Sequence, residues 1–210
     1  MIGDKLTYHS NYRKVTDKIM SRLNKELTTK ACVCIAVGGE SGSGKTSLAH
    51  ALHLDIEKKL SLKGFLFHAD DYFIRPPKDN HNKRLEDIGN VGVEEVNLDV
   101  LDEHIRMFIN KADLIEKPLI NYNENYISKE IIQPSDYDFC IVEGTYVMLL
   151  QEPHFKVFIK KTYKDTMANR QRRARDLINA FNENVLEIEH HIIKAHSKLA
   201  NMIVSDNGIE

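Results

Sequence analysis

Ala31-Cys32-Val33-Cys34-Ile35-Ala36-Val37, followed after Gly38 by Gly39-Glu40-Ser41-Gly42-Ser43-Gly44-Lys45-Thr46, decides the fold. The first seven residues form a short, unbroken apolar run of small and β-branched side chains, the pattern of a strand covered on both faces. A Gly-rich turn follows, and then Leu48, Leu52, Ile56 and Leu60 recur every four residues as one face of a helix. The turn matches G-x-x-x-x-G-K-[ST] without a gap. Glycines let the backbone curl so that successive N–H groups point at phosphates, and the helix adds its positive end to the same anion. Lys45 supplies a mobile cation, and the Thr46 hydroxyl supplies the hard oxygen that Mg prefers. The nucleotide-binding set is therefore Gly39, Glu40, Ser41, Gly42, Ser43, Gly44, Lys45, Thr46 and Ser47.

Outward from this stretch, strands and helices alternate. Residues 12–27 predict a polar amphipathic helix ahead of the core. Gly64 ends the helix after the loop, and Phe65-Leu66-Phe67-His68 reads as a second strand. Arg75 to Asn97, polar and holding a Pro pair and two Gly, reads as a loop or excursion. Leu98, Leu101, Ile105, Phe108 and Ile109 mark another helix. Phe139-Cys140-Ile141-Val142 and Lys156-Val157-Phe158-Ile159 are short strands, and a charged helical pattern runs from Lys164 to His196 with a break near Asn182. Met202-Ile203-Val204 reads as the last strand. Such alternation predicts an α/β fold of three layers, α/β/α, with a mostly parallel central sheet. The expected organisation is one domain over 1–210: an N-terminal helix at 12–30, a core at 31–206, and an Arg-rich lid around 164–182.

Two carboxylates end strands on the side where ligands collect in an open α/β sheet. Asp70, after the second strand, could accept the proton of an attacking hydroxyl or help hold Mg through water. Its neighbour Asp71 reads more plainly as a cap or solvated turn. Glu143, followed by Gly144, would stand behind Thr46 in the outer shell of Mg. Further on, Arg170, Arg172, Arg173 and Arg175 precede Asp176. Arg172 and Arg175 share a helix face and could offset charge on a transferring phosphoryl group, against the plainer reading of a solvated charged face.

Other functions find less support in the same sequence. Asn110-Lys111-Ala112-Asp113 fits a guanine-reading N-K-x-D pattern, but the helical period runs into it and no Asp-x-x-Gly separates it from the phosphate loop, so it reads as coincidence. A nucleotide-binding regulator without turnover would have no need of Asp70. Lys156 to Arg175 is basic, yet no aromatic residue stands among its Arg. The chain carries 29 Lys and Arg against 31 Asp and Glu, so its charge draws it to neither nucleic acid nor membrane. His190, His191 and His196 lie in a charged helix without a metal-binding pattern and read as solvated. No apolar run is long enough for a bilayer. Met1-Ile2-Gly3-Asp4-Lys5 lacks the apolar core of a signal peptide. Cys32, Cys34 and Cys140 are odd in number and sit in apolar runs, as reduced buried thiols do. The expected place is the cytoplasm, and homo-oligomerisation stays open.

Taken in order, these pieces resemble the uridine kinase-like group of P-loop kinases, which also looks like phosphoribulokinase and bacterial pantothenate kinase. The resemblance runs from about Cys32 to Asp206. It is carried by the phosphate loop, Asp70 with Tyr72-Phe73, Glu143-Gly144, Arg172 to Arg175-Asp176, and the closing Ala200-Asn201-Met202-Ile203-Val204. It implies the P-loop nucleoside triphosphate hydrolase fold, ATP and Mg as cofactors, and a small-molecule hydroxyl acceptor, uridine or cytidine first. It implies catalytic roles for Asp70, Lys45, Arg172 and Arg175. Thr46, Glu143 and Asp70 would serve the metal, and Asp70, Tyr72, Tyr122 and Arg175 the acceptor. In Lys117-Pro118-Leu119-Ile120-Asn121-Tyr122-Asn123 the Pro and Tyr stand further apart than in the family, and Asn123 takes the place of Asp. The His beyond it is missing, and the region Asn90 to Asp99 lacks an Asp-rich segment. These changes widen the expected acceptor to another sugar, nucleoside or pantothenate-like alcohol.

Overall fold

Strand β1 (Val33–Gly39) is buried along its whole length, which is why its sequence shows no alternation. Val33, Ile35 and Val37 pack on one side of the sheet, and Cys34 and Ala36 on the other. The computed structural model describes residues 10–167, 179–205 and 208–209. Around β1 stand β2 (Gly64–His68), β5 (Phe139–Gly144), β6 (Phe155–Ile159), β7 (Met202–Ser205) and β8 (Gly208–Ile209), in the order β2-β5-β1-β6-β7-β8. All neighbours are parallel except β7 and β8.

On one face lie α1 (Arg13–Thr29) and α2 (Lys45–Leu60), through Ile19, Leu23, Leu48, Leu52 and Ile56. On the other lie α4 (Leu98–Ile109) and α5 (Ala180–Ile193), through Leu101, Ile105, Phe108 and Ile193. The three-layer α/β/α arrangement with a mostly parallel sheet is thus present. All three cysteines sit on the α4 side, Cys34 and Cys140 in register on neighbouring strands. Burial pushes the Cys32 thiol up to about 11.

Several expectations need correction. Gly64 does not end α2. That helix stops at Ser61, whose φ of 56° turns the chain and whose N–H returns to Glu57 O. Gly64 opens β2 instead, where a Cβ would come 2.3 Å from Phe139 Cζ. The segment from Arg75 to Asn97 is not a loop. It holds α3 (Pro77–Glu86), with Pro at its start, and two 3-10 turns, Ile88–Asn90 and Val93–Glu95. Only Asn80 of α3 is buried, so no apolar period announced it. Buried polar contacts hold it instead. Arg84 forks onto Glu95 at 2.5 and 2.8 Å and reaches Glu189 of α5 at 3.1 Å, and Asn80 donates to Glu95 at 2.7 Å.

A hairpin of β3 (Ile115–Asn121) and β4 (Tyr126–Ile132) also went unread, since Pro118 and the charges of both strands mask it. Its anchor is Asp71, fully buried rather than a solvated turn. Asp71 accepts from Lys117 Nζ at 3.2 Å and from Ile120 N at 3.0 Å. Of the charged helical pattern read from Lys164 to His196, the described residues show the part after the expected break. α5 begins at Ala180, capped by Asn179, whose side chain accepts from Asn182 N at 2.8 Å. Of the lid expected around 164–182, Arg170, Arg172, Arg173, Arg175 and Asp176 fall within residues 168–178 and so outside the described residues.

Gly144 sets the closeness of β5 to the end of β2: a Cβ there would lie 2.4 Å from Ala69 Cβ. Gly144→Ala should therefore lower stability by about 1–3 kcal/mol through overpacking, read by urea denaturation. Ala69→Gly in the same chain should recover most of that loss.

Candidate active site

The phosphate loop leaves β1 at Gly39 and enters α2 at Lys45. Three glycines make its curl, with Gly42 at φ 76° between the other two. Gly39 has φ 155°, and a Cβ would lie 2.8 Å from Ser43 Oγ. Gly44 has φ 94°, and a Cβ would lie 2.6 Å from the Tyr12 hydroxyl. Ser43 N donates to Glu40 O at 3.1 Å, closing the turn. Ser43 Oγ is buried and has no hydrogen-bond partner among the described residues. Lys45 and Thr46, in the first turn of α2, are buried.

Parallel register brings the other expected residues to the same end of the sheet. Val37 of β1 stands opposite Glu143 of β5, and His68 of β2 stands opposite Glu143 on its other side. Glu143 is 2% exposed. Thr46 Oγ1 donates to its Oε2 at 3.0 Å, and the His68 Nδ1–H donates to its Oε1 at 2.8 Å. Burial alone would raise the Glu143 carboxyl. The His68 hydrogen bond and charge, with Lys45 and the Thr46 hydroxyl, outweigh burial and hold it below the usual carboxylate range. An ionised carboxylate beside a hydroxyl is a hard oxygen pair that fits Mg.

Asp70 follows two residues after His68, half-buried in the 3-10 turn Ala69–Tyr72. Tyr72, expected at the acceptor, is a core residue instead. It is 2% exposed, and its hydroxyl meets His104 Nδ1 at 2.9 Å. Tyr122 is half-buried at the turn of the β3–β4 hairpin, where Asn121 Oδ1 accepts from Asn123 N and Glu124 N, both at 3.1 Å. Arg172 and Arg175 lie outside the described residues.

Glu40, counted only as a loop residue, is buried and bonded to two distant segments: Tyr163 N at 2.7 Å and His190 Nδ1 at 2.7 Å. Neither His190 nor His196 is a solvated histidine. His196 is 7% exposed, with its ring against Tyr146. Only His191 fits that description, exposed and beside Glu187. His68 was also missed, although its place as the last residue of a strand flanking Glu143 could have exposed it. Beside the loop opens a cavity of about 440 Å³, lined by Tyr12, Val15, Ser43, Leu48, Lys161 and Val204 among others. The N-terminal segment thus forms part of its wall, which no motif signalled. The Asn110-to-Asp113 tetrapeptide closes α4, and Lys111 Nζ donates to the carbonyls of Pro134 and Tyr137. Lys156 Nζ likewise donates to Met148 O at 3.0 Å and to Leu150 O at 2.5 Å, so it is held by main chain.

No described helix is long and apolar enough to cross a membrane. Among curated proteins, the chain is 26% identical over 199 residues to a uridine kinase of Oceanobacillus iheyensis, covering 87% of this chain and 90% of that one. It is 29% identical over 198 residues to a bifunctional alpha-galactosidase/sucrose kinase of Mediterraneibacter gnavus, covering 84% of this chain and 20% of that protein. Among solved structures, a possible uridine kinase from Bacillus stearothermophilus superposes with a TM-score of 0.60 at 20% identity, covering 92% of this chain and 98% of the other. Residues 34–179 match the Phosphoribulokinase / Uridine kinase family, a span that includes the loop, Asp70 and Glu143. The chain belongs to the phosphoribulokinase/uridine kinase family of ATP-dependent kinases.

Proposed function

We propose that this chain is a cytoplasmic, Mg-dependent kinase that transfers the γ-phosphoryl group of ATP to a hydroxyl of uridine or cytidine. The observation that carries the reading is the chain of contacts from Thr46 to Glu143 to His68 at the carboxyl ends of three adjacent strands, beside the loop, with Asp70 two residues on. A sugar hydroxyl is the second reading. It is favoured by the sucrose kinase relative and by the family's Asp being Asn123 here.

In this proposal the main chain of Gly39–Ser47 holds the phosphates, and Lys45 offsets charge on the γ-phosphoryl group. The base enters the cavity walled by Tyr12 and Leu48. Thr46 and Glu143 would hold Mg, with Asp70 assisting through water; bound Mg would neutralise charge on phosphate oxygens. Asp70 takes the proton from the acceptor hydroxyl as the oxygen attacks phosphorus. Arg172 and Arg175 offset charge on the group in transfer. Tyr122 and Arg175 contact the acceptor, and Tyr72 supports Asp70 from the core.

An ADP-release assay over nucleosides, sugars and pantothenate tests the acceptor. A rate that depends on uridine or cytidine is expected. Slow hydrolysis indifferent to every acceptor would overturn the reading. Asp70→Asn should lower kcat about 10²- to 10⁴-fold while ATP still binds, and unchanged turnover would remove Asp70 as the base. Glu143→Gln should raise the Mg concentration needed for half-maximal rate about 10- to 100-fold, read by titrating Mg at saturating ATP.

A further inference from the structure

A loop that grips a polyanion carries a carboxylate of its own. Glu40 stands second in the phosphate loop, where an ionised side chain opposes the phosphates. It is 5% exposed, and its two oxygens are turned to partners far along the chain. Oε2 accepts from Tyr163 N at 2.7 Å, and Oε1 accepts from His190 Nδ1 at 2.7 Å. The adjacent Ser41 carbonyl accepts from Thr166 Oγ1 at 2.9 Å.

The partners are themselves braced. Asp165 Oδ2 accepts from Thr162 N at 2.9 Å and from Thr162 Oγ1 at 2.8 Å, which fixes the turn that presents the Tyr163 N–H. The Tyr163 hydroxyl donates to Glu187 of α5, and its ring lies 5.9 Å from that of His190. The loop, the turn after β6 and the helix α5 therefore meet at one carboxylate. A buried carboxylate needs such partners wherever it lies, but a loop that only had to curl needed no carboxylate here.

We propose that Glu40 is a positioning residue for nucleotide binding: it fastens the phosphate loop to Tyr163 and His190, so that the loop holds its curl before ATP arrives. The inference rests on the reading of Gly39–Ser47 as the ATP loop. Preorganisation of the amides lowers the ordering cost at binding, and two donors on Glu40 offset the charge that it places near the phosphates.

The test reads ATP binding directly, by calorimetry on the full chain without acceptor. Glu40→Ala should weaken ATP binding about tenfold, the scale of one hydrogen bond to a charged group. The acceptor KM should stay unchanged and kcat should fall less than ATP affinity. Glu40→Gln keeps an oxygen for the Tyr163 N–H and should recover affinity to within about threefold of the parent. His190→Ala should fall between the two, and Glu40→Ala with His190→Ala should be no weaker than Glu40→Ala alone. Equal affinity in Glu40→Ala and the parent would overturn the inference, as would Glu40→Gln as weak as Glu40→Ala, or additive losses. Should Glu40→Ala fail to fold in a thermal melt, His190→Ala decides: ATP binding weaker than that of Glu40→Gln supports the inference, and binding equal to the parent's overturns it. A parent protein that binds no ATP would sink the nucleotide reading itself, whereas bound ATP indifferent to Glu40 sinks only this inference.

Discussion

One buried carboxylate organises the working end of this sheet. Glu143 is almost wholly out of water, and a charge in that position persists only with partners. It has one on each side: Thr46 from the helix that follows the phosphate loop, and His68 from the neighbouring strand. Each hydrogen bond to such a carboxylate is worth about 1.5–3 kcal/mol, enough to make the set act as a unit. Parallel pairing makes the arrangement feasible, because β2, β5 and β1 end together and deliver His68, Glu143 and the loop at one level. Gly144 completes the fit by letting Ala69 lie against the strand, so the turn that bears Asp70 starts close to Glu143.

What could be read from the sequence follows from how each part is stabilised. β1 and β5 were legible because strands buried on both faces need unbroken apolar runs, and α2 and α4 because each lays one apolar stripe on the sheet. The G-x-x-x-x-G-K-[ST] loop was legible because its backbone conformations demand glycine at Gly39 and Gly44. α3 was not, because polar contacts hold it, and the β3–β4 hairpin was not, because Pro118 and charged residues interrupt the Ile115, Ile120 and Ile132 that it buries. Arg84 with Glu95, and Lys117 with Asp71, look like surface charges in a one-dimensional string. His190 is hidden for a similar reason: a charged stretch of sequence need not face water when its partner comes from 150 residues away, as Glu40 does, while His196 is covered by the Tyr146 ring.

This division has a bearing on how relatives differ. The apolar elements carry the nucleotide loop and the sheet, and their packing tolerates little change. The hairpin is tied through Asp71 to the turn that bears Asp70, and its own turn at Tyr122 is polar. Exposed residues of that turn can be exchanged without disturbing the core, which is how one scaffold comes to host different functions. The curated relatives named for uridine and for sucrose align with most of this chain at similar identity.

The three thiols on the α4 face have a practical corollary. Cys32, Cys34 and Cys140 are each at most 3% exposed, and burial raises the Cys32 and Cys140 thiols, so little thiolate is present and no alkylating reagent can reach it in the native fold. Modification must wait until the central strands part. Since β1 and β5 lie in the middle of the sheet, the speed of thiol capture becomes a clock for whole-molecule opening, and ligand that lengthens its period must grip the closed form.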